Sequence, residues 1–268
     1  MGTATDLAGR TVCVMDQESW PSQDGKSRIF NATVMAVKFR KKNGCIMTTI
    51  LGGVHYNVMD VIADDRVNLI TKVKSRMSDA LVECAKRNDI ETFNGTFAEC
   101  FAHWNQVIAD NGNAVICHSL ENDAKMLLDT QNFLGGKVKV IKQKYLQFMN
   151  SDKGTYDKNH AGITKICSER MLKERASRFK KNFHKEVDAR DDIAMTYKGC
   201  YPSNLGAYTK VITGDDEHVQ SHNSVKDTLD LIEVVKSAIA YDGIGILGDS
   251  SYCYQSKHFD WPVSNPRV

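Results

Sequence analysis

The sequence lacks paired cysteine motifs, long apolar runs and a strong net charge. Its eight cysteines are scattered without a CxxC pair, which favours a reduced intracellular protein, cytoplasmic or nuclear, over a disulfide framework or a zinc ribbon. No stretch approaches the apolar length of a membrane span, and the N-terminal residues lack the apolar core of a signal peptide. We therefore expect a soluble protein that does not bind a membrane.

The charge and the length leave the function open. A formal net charge of +2, from 35 basic and 33 acidic residues, is too small to indicate a polyanionic partner by itself. With 268 residues and 42% hydrophobic content, the chain is long enough for one large domain with a full core, with or without an appendage. The function has to be inferred from local motifs.

The first part of the chain predicts a sheet. The short apolar run "RTVCVM" (10–15) ends at Asp16, which is typical of a central strand with carboxylates at its C-terminal end. The next segment alternates apolar and polar residues and breaks at Asn43-Gly44, a strong hairpin signal because both turn positions require positive φ. We expect the first three strands to form an antiparallel meander.

Helices and further strands are predicted after the meander. Apolar residues three or four apart predict one helix from Val67 to Cys84 and another from Phe97 to Ile108. Later elements are a buried strand at 113–119, a helix at 120–130, a plausible edge strand at 137–142, a basic amphipathic helix at 168–192 and two helices within 202–214 and 223–240. The order of elements indicates an α/β domain.

Four carboxylates and one histidine stand at strand ends or in the first turns of helices. Asp16 and Glu18 follow the first strand, Asp123 begins the helix after the strand "NAVICHS", and His222 and Asp227 begin the last long helix. Each has an ordinary explanation when taken alone, as a solvated loop residue or as an acid favoured by the helix macrodipole. Their joint order along the chain is more specific.

Together these motifs resemble the DEDD exonuclease superfamily, in the His-containing (DEDDh, DnaQ-like) branch that includes proofreading subunits of bacterial DNA polymerases. "VCVMDQES" is similar to the family's apolar-apolar-x-Asp-x-Glu-Thr, with Ser19 for Thr. "CHSLEND" is similar to Ala-His-Asn-x-x-x-Asp, with Ser119 for Asn, and "HNSVKD" to His-x-Ala-x-x-Asp, with Ser224 for Ala. The interval between Asp123 and Asp227 is long for the family, and the basic segment fills it.

The resemblance implies a fold and a reaction. The fold would be an RNase H-like mixed five-stranded sheet flanked by helices, in an exonuclease domain over 1–240 with a basic insertion at 143–200 and a C-terminal tail at 241–268. The reaction would be metal-dependent 3′-to-5′ hydrolysis of phosphodiester bonds at the 3′ end of DNA or RNA. Two Mg²⁺ or Mn²⁺ ions would supply a nucleophile and stabilise negative charge, and carboxylates suit such hard cations.

The resemblance also assigns roles. Asp16 would bridge both ions, Glu18 and Asp227 would complete the site of the ion that carries the attacking water, and Asp123 would help to hold the second ion. His222 would be the general base, which suits an unperturbed pKa of about 6.5. His218 is its nearest competitor but lacks an Asp five residues further on.

The sequence leaves alternatives open for the residues that would contact nucleic acid and for the class of protein. The basic helix forms either a solvated face or a phosphate-binding element, and Trp20 is either a core residue or a platform for a terminal base. A catalytically silent nucleic-acid-binding or scaffold module on the same fold, and an unrelated α/β interaction protein, are the rival classes. DNA is slightly favoured over RNA by the third motif. The residues of the basic helix that would contact phosphates are Lys173, Arg178, Lys180 and Lys181.

Overall fold

The computed structural model describes residues 11–112, 114–118, 120–135, 138–141, 144–147, 178–193, 201–202, 204–242 and 261–264. The strands in this part of the chain are β1 (Thr11–Pro21), β2 (Ser27–Lys42), β3 (Cys45–Val58), β4 (Ile90–Gly95), β5 (Ala114–Cys117), β6 (Val138–Ile141), β7 (Lys144–Gln147) and β8 (Trp261–Ser264). The helices are α1 (Met59–Ile62), α2 (Thr71–Ala85), α3 (Phe97–Asp110), α4 (Leu120–Phe133), α5 (Arg178–Asp188), α6 (Leu205–Thr213) and α7 (Ser224–Asp242).

The central feature is a mixed sheet flanked by helices, as expected. Among the described residues it has six strands, in the order β4-β3-β2-β1-β5-β7. Strand β1 pairs antiparallel with β2 and parallel with β5, and β7 continues the parallel side. The antiparallel meander of β1, β2 and β3 is confirmed. Strand β4 pairs parallel with β3 and adds a sixth strand at that edge.

The turn between β2 and β3 forms where the sequence places it. Asn43 has φ 51° and Gly44 has φ 82°, so both turn residues adopt the left-handed conformation that asparagine and glycine tolerate best. The pairing then runs from Lys42 opposite Cys45 to Asn31 opposite Asn57. The register shifts by one residue between Ala36 and Val37, so the turn fixes the pairing only on its own side of that irregularity.

Each face of the sheet carries its own apolar core. Val12 and Val14 pack with residues of α5, α6 and α7, whereas Cys13 and Met15 pack with residues of α1, α3 and α4. Successive side chains of a strand point to opposite faces. The side chains of Asp16 and Glu18 therefore continue the row of Val12 and Val14, on the face covered by α7.

The predicted helices are found, with one difference at α2. The four apolar residues that predict α3 are all buried, and a capping box between Thr96 and Glu99 begins that helix. Helix α2 begins at Thr71 rather than at Val67, and Leu81 is 44% exposed while Ala80 is buried. Helix α2 therefore turns Ala80, and not Leu81, toward the core.

Segment 137–142 contains a strand, but in a different sheet from the one expected. Strand β6 pairs antiparallel with β8 in a two-stranded sheet, so a strand of the C-terminal tail is its partner. The edge next to β5 is formed by β7 instead. Within the basic insertion, α5 covers part of the predicted helix, and Lys173 lies outside the described residues. None of the helices formed by the described residues is long and apolar enough to cross a membrane.

Candidate metal-binding and catalytic site

The site begins where β1 runs past the end of its neighbour. Strand β5 pairs with β1 only as far as Met15 opposite Cys117, so Asp16 and Glu18 lie beyond the end of that ladder. On the other side, the register with β2 shifts between Glu18 and Ser19. Such irregularities re-aim the side chains of a strand. The two carboxylates thus stand at an opening in the sheet.

Asp123 reaches the same region from α4, which follows β5. Its side chain is buried, with 8% exposure. Burial raises the pKa of the Cys117 thiol well above its usual value, and the charges of Asp123 and Asp16 raise it further. Both carboxylates therefore lie close to the end of β5, Asp123 from the helix and Asp16 from the neighbouring strand.

Asp227 enters from α7 and is completely buried. The Nε2 group of Gln220 donates a hydrogen bond to its Oδ2, and the Oγ group of Ser221 donates one to its Oδ1, both at 3.0 Å. These donors orient the carboxylate and offset part of the cost of its burial. Sequence reasoning missed both residues, although polar side chains just before the motif were the available signal.

The start of α7 places His222 beside the carboxylates. His222 has φ 49° and an exposed side chain. Asn223 acts as a helix cap, since its Oδ1 accepts hydrogen bonds from the backbone N–H of Val225 at 3.1 Å and of Lys226 at 3.4 Å. One potential ligand atom from each of Glu18, His222 and Asp227 lies within 4.8 Å of the others.

Burial and nearby negative charges resist the ionisation of Asp16 and Glu18. Burial raises the pKa of Asp16 well above its usual range, with further contributions from Glu18, Asp227 and Asp123. Burial and Asp227 raise the pKa of Glu18 to about 8, while Arg76 acts in the opposite direction. Carboxylates that repel one another favour protons or a cation in the space between them.

The donors present fit a divalent cation. The Oδ2 atom of Asp16 is buried and has no hydrogen-bond partner among the described residues, although buried polar atoms almost always have one. Glu18, Asp227 and His222 add two further carboxylates and an imidazole within coordination reach of one another. Hard cations take carboxylate oxygens, and imidazole also suits Mn²⁺ and other transition metals.

A buried polar cluster supports the site from behind. Thr33 lies opposite Asp16 on β2 and opposite His55 on β3. Its hydroxyl is hydrogen bonded to the Ser224 hydroxyl at 2.8 Å and to Nδ1 of His55 at 3.0 Å. Burial lowers the pKa of His55 to about 4, so the ring is neutral at pH 7. The cluster joins the first residue of α7 to the sheet beside Asp16.

His218 lies beside Asp230 and is not part of the group formed by Glu18, His222 and Asp227. Its Nε2 atom lies 3.2 Å from Oδ2 of Asp230 on α7. Burial raises the pKa of Asp230 to about 6, although His218 lowers it. The geometry therefore brings His222, and not His218, to the carboxylates of Glu18 and Asp227.

The residues expected to contact nucleic acid differ in their exposure to solvent. Arg178 and Lys181 are exposed on α5, in which Lys180 also lies. The aromatic residues of that helix, Phe179 and Phe183, are buried in the core, so neither presents a ring face to a base. Trp20 is half-buried against the apolar core that contains Met15.

Comparison with known proteins does not identify a family. No protein-family model matches the chain, and no curated protein matches it.

Proposed function

We propose that the protein is a metal-dependent 3′-to-5′ exonuclease of the DEDDh type, which hydrolyses phosphodiester bonds of DNA or RNA. The observation that carries this proposal is convergence. Three distant parts of the chain supply residues to one region, namely β1 with Asp16 and Glu18, α4 with Asp123, and the start of α7 with His222 and Asp227. The charges of Glu18, Asp227 and Asp123 act on Asp16, and Glu18, His222 and Asp227 lie within ligand distance of one another. The sheet order β3-β2-β1-β5-β7 is compatible with the RNase H-like fold that the resemblance implies.

The arrangement meets the needs of phosphodiester hydrolysis. Divalent cations held by the four carboxylates would neutralise the phosphate charge and provide a nucleophile at neutral pH. Asp16 and Asp123 act on the Cys117 thiol at the end of β5, whereas Glu18 and the buried Asp227 lie within ligand distance of the exposed His222. A buried acid fixes a cation, and an exposed imidazole has access to water and substrate.

His222 carries the proton transfer in this proposal. A general base must reach the attacking water and be neutral before it accepts a proton. The exposed position of His222 before α7, together with its closeness to Glu18 and Asp227, gives its ring that access. The exposed basic residues Arg178 and Lys181 would contact more distant phosphates.

The test is a matched set of substrates. Single- and double-stranded DNA and RNA oligonucleotides, labelled at either end, are incubated with Mg²⁺, Mn²⁺ or EDTA. We expect mononucleotides to be released from the 3′ end only with a cation. Asp16→Asn should retain less than about a hundredth of the wild-type rate, which corresponds to an increase of at least about 2.7 kcal/mol in the activation free energy.

Asp65→Asn is the control, because Asp65 is an exposed aspartate in the loop before α2. Its rate should equal that of the wild-type protein. Cleavage that persists in EDTA, or no cleavage of any substrate, would refute the proposal. Cation-independent binding without cleavage would favour a silent nucleic-acid-binding module.

A further inference from the structure

The hairpin of β2 and β3 extends beyond the rest of the sheet. Strand β1 pairs with β2 only as far as Lys38, and β4 pairs with β3 only from Gly53 onward. Among the described strands, residues 39–52 therefore pair only with one another. This outer part of the hairpin is a two-stranded ribbon, and it lies at the end of the strands away from Asp16.

The two faces of the ribbon differ in burial. Phe39 and Ile46 are buried in the apolar core that contains residues of α5, α6 and α7. On the opposite face, Lys38, Arg40 and Lys42 stand at alternate positions of β2 and form what we name the basic row. Lys38 is half-buried, whereas Arg40 and Lys42 are exposed. One face of the ribbon is thus held against the protein, and the other presents cations to solvent.

The positive charge of the ribbon has no negative counterpart. The segment 27–58, which includes both strands and their turn, contains no acidic residue. None of the ion pairs among the described residues includes Lys41 or a member of the basic row. Like charges on one face of a strand repel one another. An anionic partner would relieve this repulsion, which the protein itself leaves uncompensated.

The phosphate backbone of nucleic acid matches the basic row in charge and in spacing. A duplex carries one negative charge per about 3.4 Å of axis on each strand. Alternate residues of a β-strand are about 6.7 Å apart, which corresponds to about two nucleotide steps of one strand. The guanidinium of Arg40 can donate two parallel N–H groups to a phosphate, and the ammonium of Lys42 binds phosphate as a point charge.

We propose that the basic row binds the phosphate backbone of a nucleic acid at a place separate from the cation site. The distance along β2 from Thr33, which lies opposite Asp16, to Arg40 is about 23 Å. The side chains of Thr33 and Arg40 also point to opposite faces of the strand, because an odd number of positions separates them. The ribbon therefore holds a part of a long nucleic acid that is not at the catalytic residues. The choice of nucleic acid among polyanions rests on the proposed nuclease function.

A different role for the basic row would be purely protective. Exposed cations keep the strands of different molecules from pairing, and Met47, opposite Arg40, is 51% exposed. In that role, loss of the cations would promote aggregation of the protein but would leave its affinity for nucleic acid unchanged.

Binding is measured in EDTA, in which the proposed cleavage does not occur. Fluorescence anisotropy of a labelled DNA duplex of about 20 base pairs gives the Kd of the full-length protein over a series of salt concentrations. Arg40→Gln combined with Lys42→Gln should raise Kd about tenfold. The same double variant should make the salt slope shallower by about 1.8, the value for two phosphate contacts on a duplex.

The control is Lys86→Gln combined with Lys236→Gln, which changes the net charge by the same amount. Each of these lysines already pairs with a glutamate three positions before it, so its charge is neutralised locally. The control should bind the duplex as the wild-type protein does. Where the double variant of the basic row does not fold, the comparison of Arg40→Gln with Lys86→Gln decides in the same way.

Two results overturn the proposal. The first is equal binding of the duplex by the two double variants, whatever their tendency to aggregate, or no binding of the duplex by the wild-type protein. The second is an altered affinity of the basic-row variant for phosphatidylserine vesicles together with an unchanged affinity for DNA, which would indicate a membrane surface instead.

The two proposals fail separately. If the basic-row variant loses affinity for the duplex and the wild-type protein cleaves no substrate, the nuclease function fails while the assignment of the ribbon stands. If the wild-type protein cleaves with a cation and the basic-row variant binds as the control does, only the assignment of the ribbon fails. In the active protein, we expect this variant to raise KM about tenfold for a long DNA. Its KM for a dinucleotide, which is too short to span about 23 Å, should be unchanged.

Discussion

The metal-free protein should lose stability as the pH rises through the neutral range, and Mg²⁺ should restore it. The pKa of Glu18 is raised from 4.5 to about 8, so the folded protein keeps a proton that the unfolded chain has already released. Between these two pKa values the folded state binds more protons, and the free energy of unfolding therefore falls with increasing pH. The free energy of unfolding is undiminished below about pH 4.5, where both states are protonated, and its loss is complete once the pH exceeds about 8.

The magnitude follows from the same change in pKa. At about 1.4 kcal/mol per pKa unit, a rise from 4.5 to about 8 corresponds to on the order of 5 kcal/mol when Glu18 is fully ionised. Water at the partly exposed carboxyl of Glu18 screens this penalty, and we expect a loss in the free energy of unfolding of about 2–3 kcal/mol. For a domain of this size the melting temperature then falls by about 5–10 °C.

The assay is thermal unfolding between pH 5 and pH 9, in EDTA and in Mg²⁺. Glu18→Gln removes the titrating group, so its melting temperature in EDTA should depend less on pH than that of the wild-type protein. It should also gain less from Mg²⁺, because a ligand has been lost. Glu91→Gln alters an exposed glutamate of β4 and should follow the wild-type curve.

Parallel curves of melting temperature against pH for the two proteins would refute this reasoning. If Glu18→Gln and the wild-type protein differ in EDTA by the same amount at every pH from 5 to 9, Glu18 does not titrate as its burial beside Asp227 requires. A wild-type protein that gains no stability from Mg²⁺ at pH 8 would refute the cation site itself.

Three further predictions test the surroundings of the site. Thr33→Val removes a hydroxyl that joins two buried polar side chains and should cost about 1–3 kcal/mol in urea denaturation; no loss would show that the cluster does not support α7. His222→Ala should lower the single-turnover rate by on the order of 10²–10⁴ and His218→Ala should leave it unchanged, whereas the reverse result would exclude His222 as the base. Replacing Arg178 and Lys181 together by Ala should weaken oligonucleotide binding and make its salt dependence shallower, and an unchanged salt slope would return α5 to a solvated face.

The parts of the fold that the sequence predicts are those with strong local signals. Strand β1 is an unbroken apolar run, the Asn43-Gly44 turn has one favoured conformation, and α3 carries four apolar residues on one face. Local signals of this kind depend only on neighbouring residues. The same holds for Asp123 and Asp227, because each follows a recognisable helix start.

The rest depends on contacts between distant residues. Strand β4 has only one fully buried residue, Ile90, so its pattern is too weak to predict a strand without the edge of β3 beside it. Strand β6 is paired by a segment more than a hundred residues further on that has no periodicity of its own. The hydrogen bond between Thr33 and Ser224 spans 191 positions. None of these partners is indicated by the local sequence.

Hydrogen bonds fix the beginning of α7, whereas the carboxylates beside it repel one another. Asn223 caps the helix, Ser224 is hydrogen bonded to Thr33 of the sheet, and the carboxylate of Asp227 accepts hydrogen bonds on both oxygens. Three of these bonds join side chains and one uses a backbone N–H. None of them involves Oδ2 of Asp16, which has no hydrogen-bond partner among the described residues. Burial and repulsion therefore raise the pKa of Asp16 and Glu18 at the end of β1, while hydrogen bonds hold the start of α7 in place. A cation that enters this site relieves repulsion between side chains that are already in place, which is the condition under which its binding energy is available for affinity rather than for reorganising the fold.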